Sequence, residues 1–255
     1  MKTMKADSAR SGIIILALMI VQFLSVPATA QYDTIAISIL DSVTIKISEL
    51  ETCSFRFVSE FDINNSEYGL ITHSETGEVF LKAPGKMFVE KKGDKGHKVF
   101  ASDGSSFTLY SYDKNWYATM KSEMNLIEFI DSVSSQFGIE FPGVDVFYPD
   151  FTDNILMTSD NLIFLGLGVV NGNECYHVAG AGEGMTFQYW ISADGNYIPV
   201  KLSIVYTSLE GDPRYSLEYY DWKGNSSIDD SKFEFKVPEG AQLIKLSEVK
   251  NNSEK

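Results

Sequence analysis

The stretch ASDGSSFTLYSYDKNWYATM, residues 101–120, decides how this chain is read. Asp103-Gly104 and Asp113-Lys114-Asn115 are turn signals, and each separates runs rich in aromatic and β-branched residues. The reading is a chain of hairpins, with strands over residues 107–112 and 116–120. Successive strand side chains alternate, so Phe107 and Leu109 point one way and Tyr110 and Tyr112 the other. Bulky residues on both faces suit a curved sheet, covered on its concave side and partly at its rim, better than a flat sheet with one wet face.

The same period of two extends outward. Cys53, Phe55, Phe57 and Phe61 alternate with polar neighbours that include Ser54, Arg56 and Glu60. Strand-like runs continue over 68–73, 78–81, 86–92 and 97–102, separated by Thr76-Gly77, Pro84-Gly85 and Gly93-Asp94, which read as turns. Later, Asn171-Gly172 joins 162–170 to 174–180 as a hairpin. Phe187/Tyr189, Leu202/Ile204 and Leu217/Tyr219 then mark three further alternating strands. The count is roughly ten strands, antiparallel because hairpins join most of them, and that many strands tend to curl.

Two segments keep helical spacing instead. In 32–51, Ala36, Ile39, Leu40, Val43 and Ile47 recur on one side, and Asp33 can cap the start. In the second, Leu126, Ile130, Val133 and Phe137 recur; Ser122 can cap it and Gly138 can end it. Residues 141–161 carry Pro142, Gly143 and Pro149 and form either a lid or a stretch with a short helix. The fold class is α+β, mainly β: an unclosed antiparallel sheet with helices covering its concave side.

The ends of the chain speak of export. Lys2, Lys5 and Arg10 precede an apolar run over 12–26, and Ala28-Thr29-Ala30 supplies the small residues of a cleavage site. The run is shorter than the roughly 20 residues a bilayer span needs, so residues 1–30 read as a signal peptide cut after Ala30 and no stable membrane insertion is expected. One domain follows, 31–246, with a polar disordered tail over 247–255. The whole chain carries a formal charge of −14; without residues 1–30 it has 18 basic and 34 acidic residues, or −16. That balance repels phosphate backbones, so nucleic acid is excluded as a partner.

No catalytic constellation stands out. His73, His97 and His177 are scattered without metal-ligand spacing. His177 and Cys175 share a strand face, which reads as packing. GLGVVNG, residues 166–172, lacks the spacing and the following helix of a phosphate loop. No cofactor and no metal are expected, and the chain reads as a non-enzyme. An exported chain with two cysteines lives where thiols oxidise, so a Cys53–Cys175 disulfide is an expectation, with two separate buried thiols as its alternative.

Five segments carry a resemblance. FLKAPGKMFVE (80–90), ASDGSSFTLYSYDKNWYAT (101–119), VVNGNECYHVAG (169–180), QYWISADGNYIPVKLSIVY (188–206) and DDSKFEFKVPEGA (229–241) occur in order. Together they resemble an uncharacterised family of predicted periplasmic proteins and, beyond it, the LolA/LolB-type outer-membrane lipoprotein carriers. The resemblance implies a half-barrel whose helices form a lid over an apolar cavity that takes acyl chains. In the carriers an arginine before the proline helps hold the lid shut; the matching residue here is Ala83. Apart from Arg10, the only arginines are Arg56 and Arg214, and alternation turns Arg56 away from the Phe face. A lid that opens easily is expected.

The function this points to is binding of an acylated or otherwise hydrophobic ligand in the periplasm. The candidate cavity residues are Phe55, Phe57, Phe61, Phe107, Leu109, Trp116, Met120, Phe187, Tyr189, Leu202, Ile204, Leu217 and Tyr219 on strands. Leu126 and Ile130 join them from the covering helix. The alternative is an envelope-sensing module that binds an envelope protein and carries no ligand. Alternation alone leaves open which face is concave.

Overall fold

The computed structural model describes residues 31–139, 141 and 143–246. The signal peptide, its cleavage site and the 247–255 tail lie outside the described residues. The strands are β1 (Gln31–Tyr32), β2 (Thr52–Asn65), β3 (Gly69–Lys82), β4 (Lys86–Gly93), β5 (Gly96–Asp103), β6 (Ser106–Ser111) and β7 (Trp116–Lys121). After the helices come β8 (Ser159–Val170), β9 (Asn173–Gly182), β10 (Met185–Ser192), β11 (Pro199–Val205), β12 (Arg214–Gly224) and β13 (Gln242–Leu243). The helices are α1 (Thr34–Ser48), α2 (Leu126–Phe137) and α3 (Phe151–Thr158).

All strands join one sheet in the order β1-β8-β9-β10-β11-β12-β2-β3-β4-β5-β6-β7-β13. Neighbours are consecutive in the chain except at the two-residue edge strands β1 and β13 and where β12 meets β2, so the two β-rich halves fuse through one long antiparallel pair. β13 joins β7 in parallel, and the sheet does not close. It is the expected unclosed, mainly antiparallel half-barrel.

Local chemistry explains most of the helix and turn boundaries. Asp33 accepts a hydrogen bond from the Ile35 amide and starts α1, as its position predicts. Gly138 ends α2 with φ of 62°, a left-handed conformation that glycine adopts without steric cost. The cap of α2 differs from expectation. Asn125, not Ser122, accepts from the Glu128 amide, and Glu128 reaches back to the Asn125 amide. Ser122 is buried, and its amide belongs to the β6–β7 hairpin through the Ser105 carbonyl. The capping box satisfies two end groups, where Ser122 would satisfy one. Residues 141–158 hold a 3₁₀ turn, Val144–Phe147, and then α3, so the segment does contain a short helix.

Thr76-Gly77 is not a turn, because β3 runs straight through it. A Cβ at Gly77 would lie 2.6 Å from the Phe57 ring and 2.3 Å from the Glu90 carbonyl oxygen. The glycine is there so that Phe57 can lie flat across β3, not to bend the chain.

The convex face is covered as well, which accounts for the bulky residues of both parities. The segment after β12 crosses the outside of β3–β6. It buries Phe233 and sets Phe235 against Tyr110 at 5.5 Å. It also lays the Lys232 ammonium 4.1 Å from the Phe80 ring centre and 4.2 Å from that of Phe88. Lys82 and Lys86 both reach Asp230, at 2.7 and 2.8 Å, and tie the segment down.

The expected disulfide is not formed. Cys53 and Cys175 are free and buried. They lie on β2 and β9, four strand spacings apart, or about 19 Å along the sheet, whereas a bridge needs Cα atoms within about 7 Å. Burial pushes the Cys53 thiol up to about 12. Denatured, unreduced protein should therefore titrate two thiols, and the native protein should react slowly with a thiol reagent. A single or absent reactive thiol after unfolding contradicts this strand placement.

On the outside of β12, Glu218 accepts from Lys201 at 2.7 Å, Tyr220 at 2.6 Å and Asn171 at 3.0 Å. Partial burial works against its charge, but these hydrogen bonds outweigh it and hold the carboxyl down at about 2. A lowered folded-state value means stability that is present above the ordinary value of 4.5 and lost as pH falls toward about 2. Glu218→Gln should cost about 1–2 kcal/mol at pH 7, allowing for solvent screening. The gap between variant and parent should shrink below pH 4.5, as read by urea unfolding across pH.

Candidate functional site

The strand register places the candidate residues on one face. Phe187 pairs with Ile204, Tyr189 with Leu202, Leu202 with Leu217, and Tyr219 with Phe57. Phe55 pairs with Val79, Val79 with Val89, Val89 with Phe100, Phe100 with Leu109, and Phe107 with Met120. Directly paired residues in a sheet point the same way. Phe55, Phe57, Phe61, Phe107, Leu109, Trp116, Met120, Phe187, Tyr189, Leu202, Ile204, Leu217 and Tyr219 thus share the face that the helices cover.

Three parts make the cover. The buried residues of α1, Ala36, Ile39, Leu40, Val43 and Ile47, join the same core. α2 sets Phe129 against Phe107 at 4.6 Å and is pinned at its start by the Leu126 amide on the Pro84 carbonyl, at 2.8 Å. The 141–147 segment brings Phe141 to Phe100 at 5.3 Å and Phe147 to Phe55 at 6.2 Å. The Tyr148 hydroxyl donates to Asp131 on α2 at 2.5 Å, joining segment to helix. Ala83 offers no side-chain latch, but the β3–β4 turn in which it stands holds α2 through backbone. Arg56 lies on the other face, paired with Asp221.

Under this cover the candidates divide. Phe55, Phe57 and Ile130 line a small apolar cavity with Val79, Leu81 and Phe147. Its free volume is about 40 Å³, room for little more than a water molecule. Phe107, Leu217 and Tyr219 are packed core, with Tyr219 donating to the Gly143 carbonyl at 3.3 Å. Met120 and Leu126 pack half-buried against that core.

The open space under the cover lies along one end of the concave face. A cleft of about 400 Å³ between α3 and β10–β11 is lined by Phe187, Tyr189 and Ile204. One of about 330 Å³ beside Tyr148 is lined by Ile130, Leu202 and Ile204. One of about 460 Å³ is lined by Phe61, Leu109 and Trp116. Tyr206 lines all three, and Tyr215 lines the last two, so they adjoin. Each is the size of a small-molecule site.

Sequence reading missed Tyr206 and Tyr215 as cleft residues, and it missed Trp222. Asp221, at φ of 56°, sits in a register shift of β12 that turns Trp222 onto Phe55, with ring centres 4.5 Å apart. Strict alternation from Tyr219 does not reach it. His177 is a packed strand residue, 3.0 Å from Gln188 and stacked on Trp190. Burial raises the Cys175 thiol above its ordinary value, the opposite of what a nucleophile needs.

A family model described as "Predicted periplasmic protein (DUF2092)" matches residues 36–247. The chain belongs to this family. The match runs from α1 to just past β13, so it covers the half-barrel and its cover. No curated protein matches the sequence. Among solved structures, the Mycobacterium tuberculosis lipoprotein LppX is similar at 16% identity and a TM-score of 0.47, over 77% of this chain and 100% of that one. The Pseudomonas aeruginosa MucA/MucB complex matches at 12% identity and 0.37, over 79% of this chain and 61% of that one. The LolA superfamily protein NE2245 from Nitrosomonas europaea matches at 10% and 0.32, over 78% and 97%. Among the described residues no helix is long and apolar enough to cross a membrane.

Proposed function

We propose that this DUF2092 protein is an exported carrier or sensor that binds an acylated or otherwise hydrophobic ligand between its concave face and its cover. The observation that carries the reading is the run of three adjoining clefts, whose apolar walls include Phe187 and Ile155 at the α3 end, Leu202 and Ile204 in the middle and Phe61, Leu109 and Trp116 at the far end. A sheet that merely needed a core would close over that face, as it does around the 40 Å³ cavity beside Phe55. The filled cavity belongs to the same device. Phe141 and Phe147 fill it from a segment that the Tyr219 hydroxyl holds through the Gly143 carbonyl at 3.3 Å, and swinging that segment out would expose Phe55, Phe57 and Val79 to a chain. Each buried methylene contributes about 0.8 kcal/mol, which gives micromolar affinity without a specific polar contact once association costs are met.

Native mass spectrometry of protein released from the periplasm without detergent tests the reading. Bound lipid at one per protein supports it; protein that leaves the cell empty counts against it. The same sample tests export, since its chain should begin at Gln31, and an intact Met1 in a membrane fraction would refute the signal reading.

A second reading, an interaction module, is favoured by the β8 edge. Among the described residues only the two-residue β1 pairs with β8 on that side, and β8 exposes Leu167 at 59% and Val169 at 73%. Such an edge can accept a strand from an envelope protein. Val169→Lys would block that pairing and leave lipid uptake intact.

A further inference from the structure

The cleft farthest from α3 is not apolar throughout. Lys91 and Lys98 pair directly across β4 and β5 on the concave face. Like charges in that position destabilise a sheet. Glu75, 6% exposed, answers Lys91 at 3.1 Å. Among the described residues, no carboxylate lies within ion-pair distance of Lys98, Lys95 or Arg214, which line the same 460 Å³ cleft. Burial, with Lys91 nearby, pushes the Lys98 ammonium below its ordinary value, which marks a cation short of compensation.

The cleft's other carboxylate, Asp62, is already engaged. It accepts from the Thr72 hydroxyl at 2.6 Å and the Arg214 amide at 3.0 Å. Four cations against Glu75 and Asp62 leave this cleft at +2, in a chain of −14 overall. Its floor also holds Ser59, 1% exposed, whose hydroxyl finds no hydrogen-bond partner among the described residues. A buried hydroxyl without a partner is costly unless something completes it.

We propose that this end of the cleft, built on Lys91, Lys98 and Ser59, binds the anionic headgroup of an amphiphile whose chain runs past Tyr206 into the apolar clefts. The inference rests on the ligand-binding reading above and adds the chemistry of the head. An acid oxygen between the two ammonium groups relieves their repulsion, and the Ser59 hydroxyl gains an acceptor. The adjoining clefts beside Tyr148 and α3 take the chain, because Tyr206 and Tyr215 wall the passage between them. A carboxylate and a phosphate headgroup share this chemistry.

The test uses delipidated mature protein and four probes: a fluorescent fatty acid, the fatty alcohol of the same length, the corresponding lysophosphatidic acid, and inorganic phosphate. The two anionic amphiphiles should bind at least tenfold tighter than the alcohol at low salt, and the preference should shrink with added salt. Lys98→Gln should bring their affinity down to that of the alcohol, while Lys223→Gln, on the outer end of β12, should leave the preference in place. Equal binding of acid and alcohol overturns the headgroup site and leaves the hydrophobic reading standing. Preference unaltered by Lys98→Gln also overturns it. Inorganic phosphate binding as tightly as the lysophosphatidic acid makes the ligand a free anion and overturns the amphiphile. If no amphiphile binds, the carrier reading itself fails.

Discussion

Leu202→Asp is expected to leave no folded protein. Leu202 is 1% exposed, stands between Tyr189 and Leu217 in the register, and lies at the centre of the concave face. Leu→Ala at such a site costs about 2–5 kcal/mol through lost transfer energy and a cavity. Aspartate adds a charge, and the flanking pairs on that face offer it no cation. Burying an unpaired carboxylate costs several kcal/mol more, or forces it to stay protonated. The total reaches the 5–15 kcal/mol that holds a domain together. Circular dichroism and proteolysis of the purified variant should show an unfolded chain; a cooperative melt within a few degrees of the parent would show that the centre of the sheet is not packed.

Two residues further along the same strand the outcome should reverse. Ile204 points to the same face but is only half-buried, and it lines both the α3 cleft and the cleft beside Tyr148. Ile204→Asp can keep its charge in contact with water, so the protein should fold. The apolar path for an acyl chain is then interrupted by a carboxylate that must be desolvated when ligand enters. The loss is about 3 kcal/mol of binding, on the order of a hundredfold in affinity. The contrast between the two positions rests on burial: both border the cleft beside Tyr148, but Leu202 is packed to 1% exposure and tests the core, while half-buried Ile204 tests the cleft. If Ile204→Asp folds and takes up an acyl probe as well as the parent, these clefts do not hold the chain.

Much of this was legible in the sequence because hairpin turns and period-two alternation are local signals. Asp103-Gly104 and Asn171-Gly172 do join the strands they flank, and both glycines have positive φ, 91° and 80°. Every strand residue named for the cavity falls on one face, since an antiparallel register transmits the choice of face from strand to strand. What failed was whatever depended on a partner distant in sequence. Gly77 looked like a turn because the Phe57 ring that requires it lies on another strand. Cys53 and Cys175 looked like a pair because compartment and count say nothing about strand order. Trp222 was hidden by the shift at Asp221. The outer covering of β3–β6 was invisible because DDSKFEF, residues 229–235, has neither strand nor helix period and works through Lys232 and Phe233.

The candidate site was legible as a face but not as a space. Alternation identifies Phe55, Phe187 and Phe107 alike, yet one borders a filled cavity, one an open cleft and one the core. Deciding among them requires the positions of Phe141, Phe147 and α3, which sit in a segment whose prolines and glycines conceal its helical turns. The charged end of the clefts was missed for a related reason. Lys91 and Lys98 lie on different strands, and only the β4–β5 register sets them opposite each other.

The central claim is that the concave face takes up a hydrophobic chain, and its most direct test is equilibrium titration of delipidated mature protein with a fluorescent fatty acid. The account predicts saturable uptake of one probe per protein with a dissociation constant of about 1 μM. Folded wild-type protein that takes up no probe at hundreds of micromolar (about 5 kcal/mol or less of binding) would contradict it.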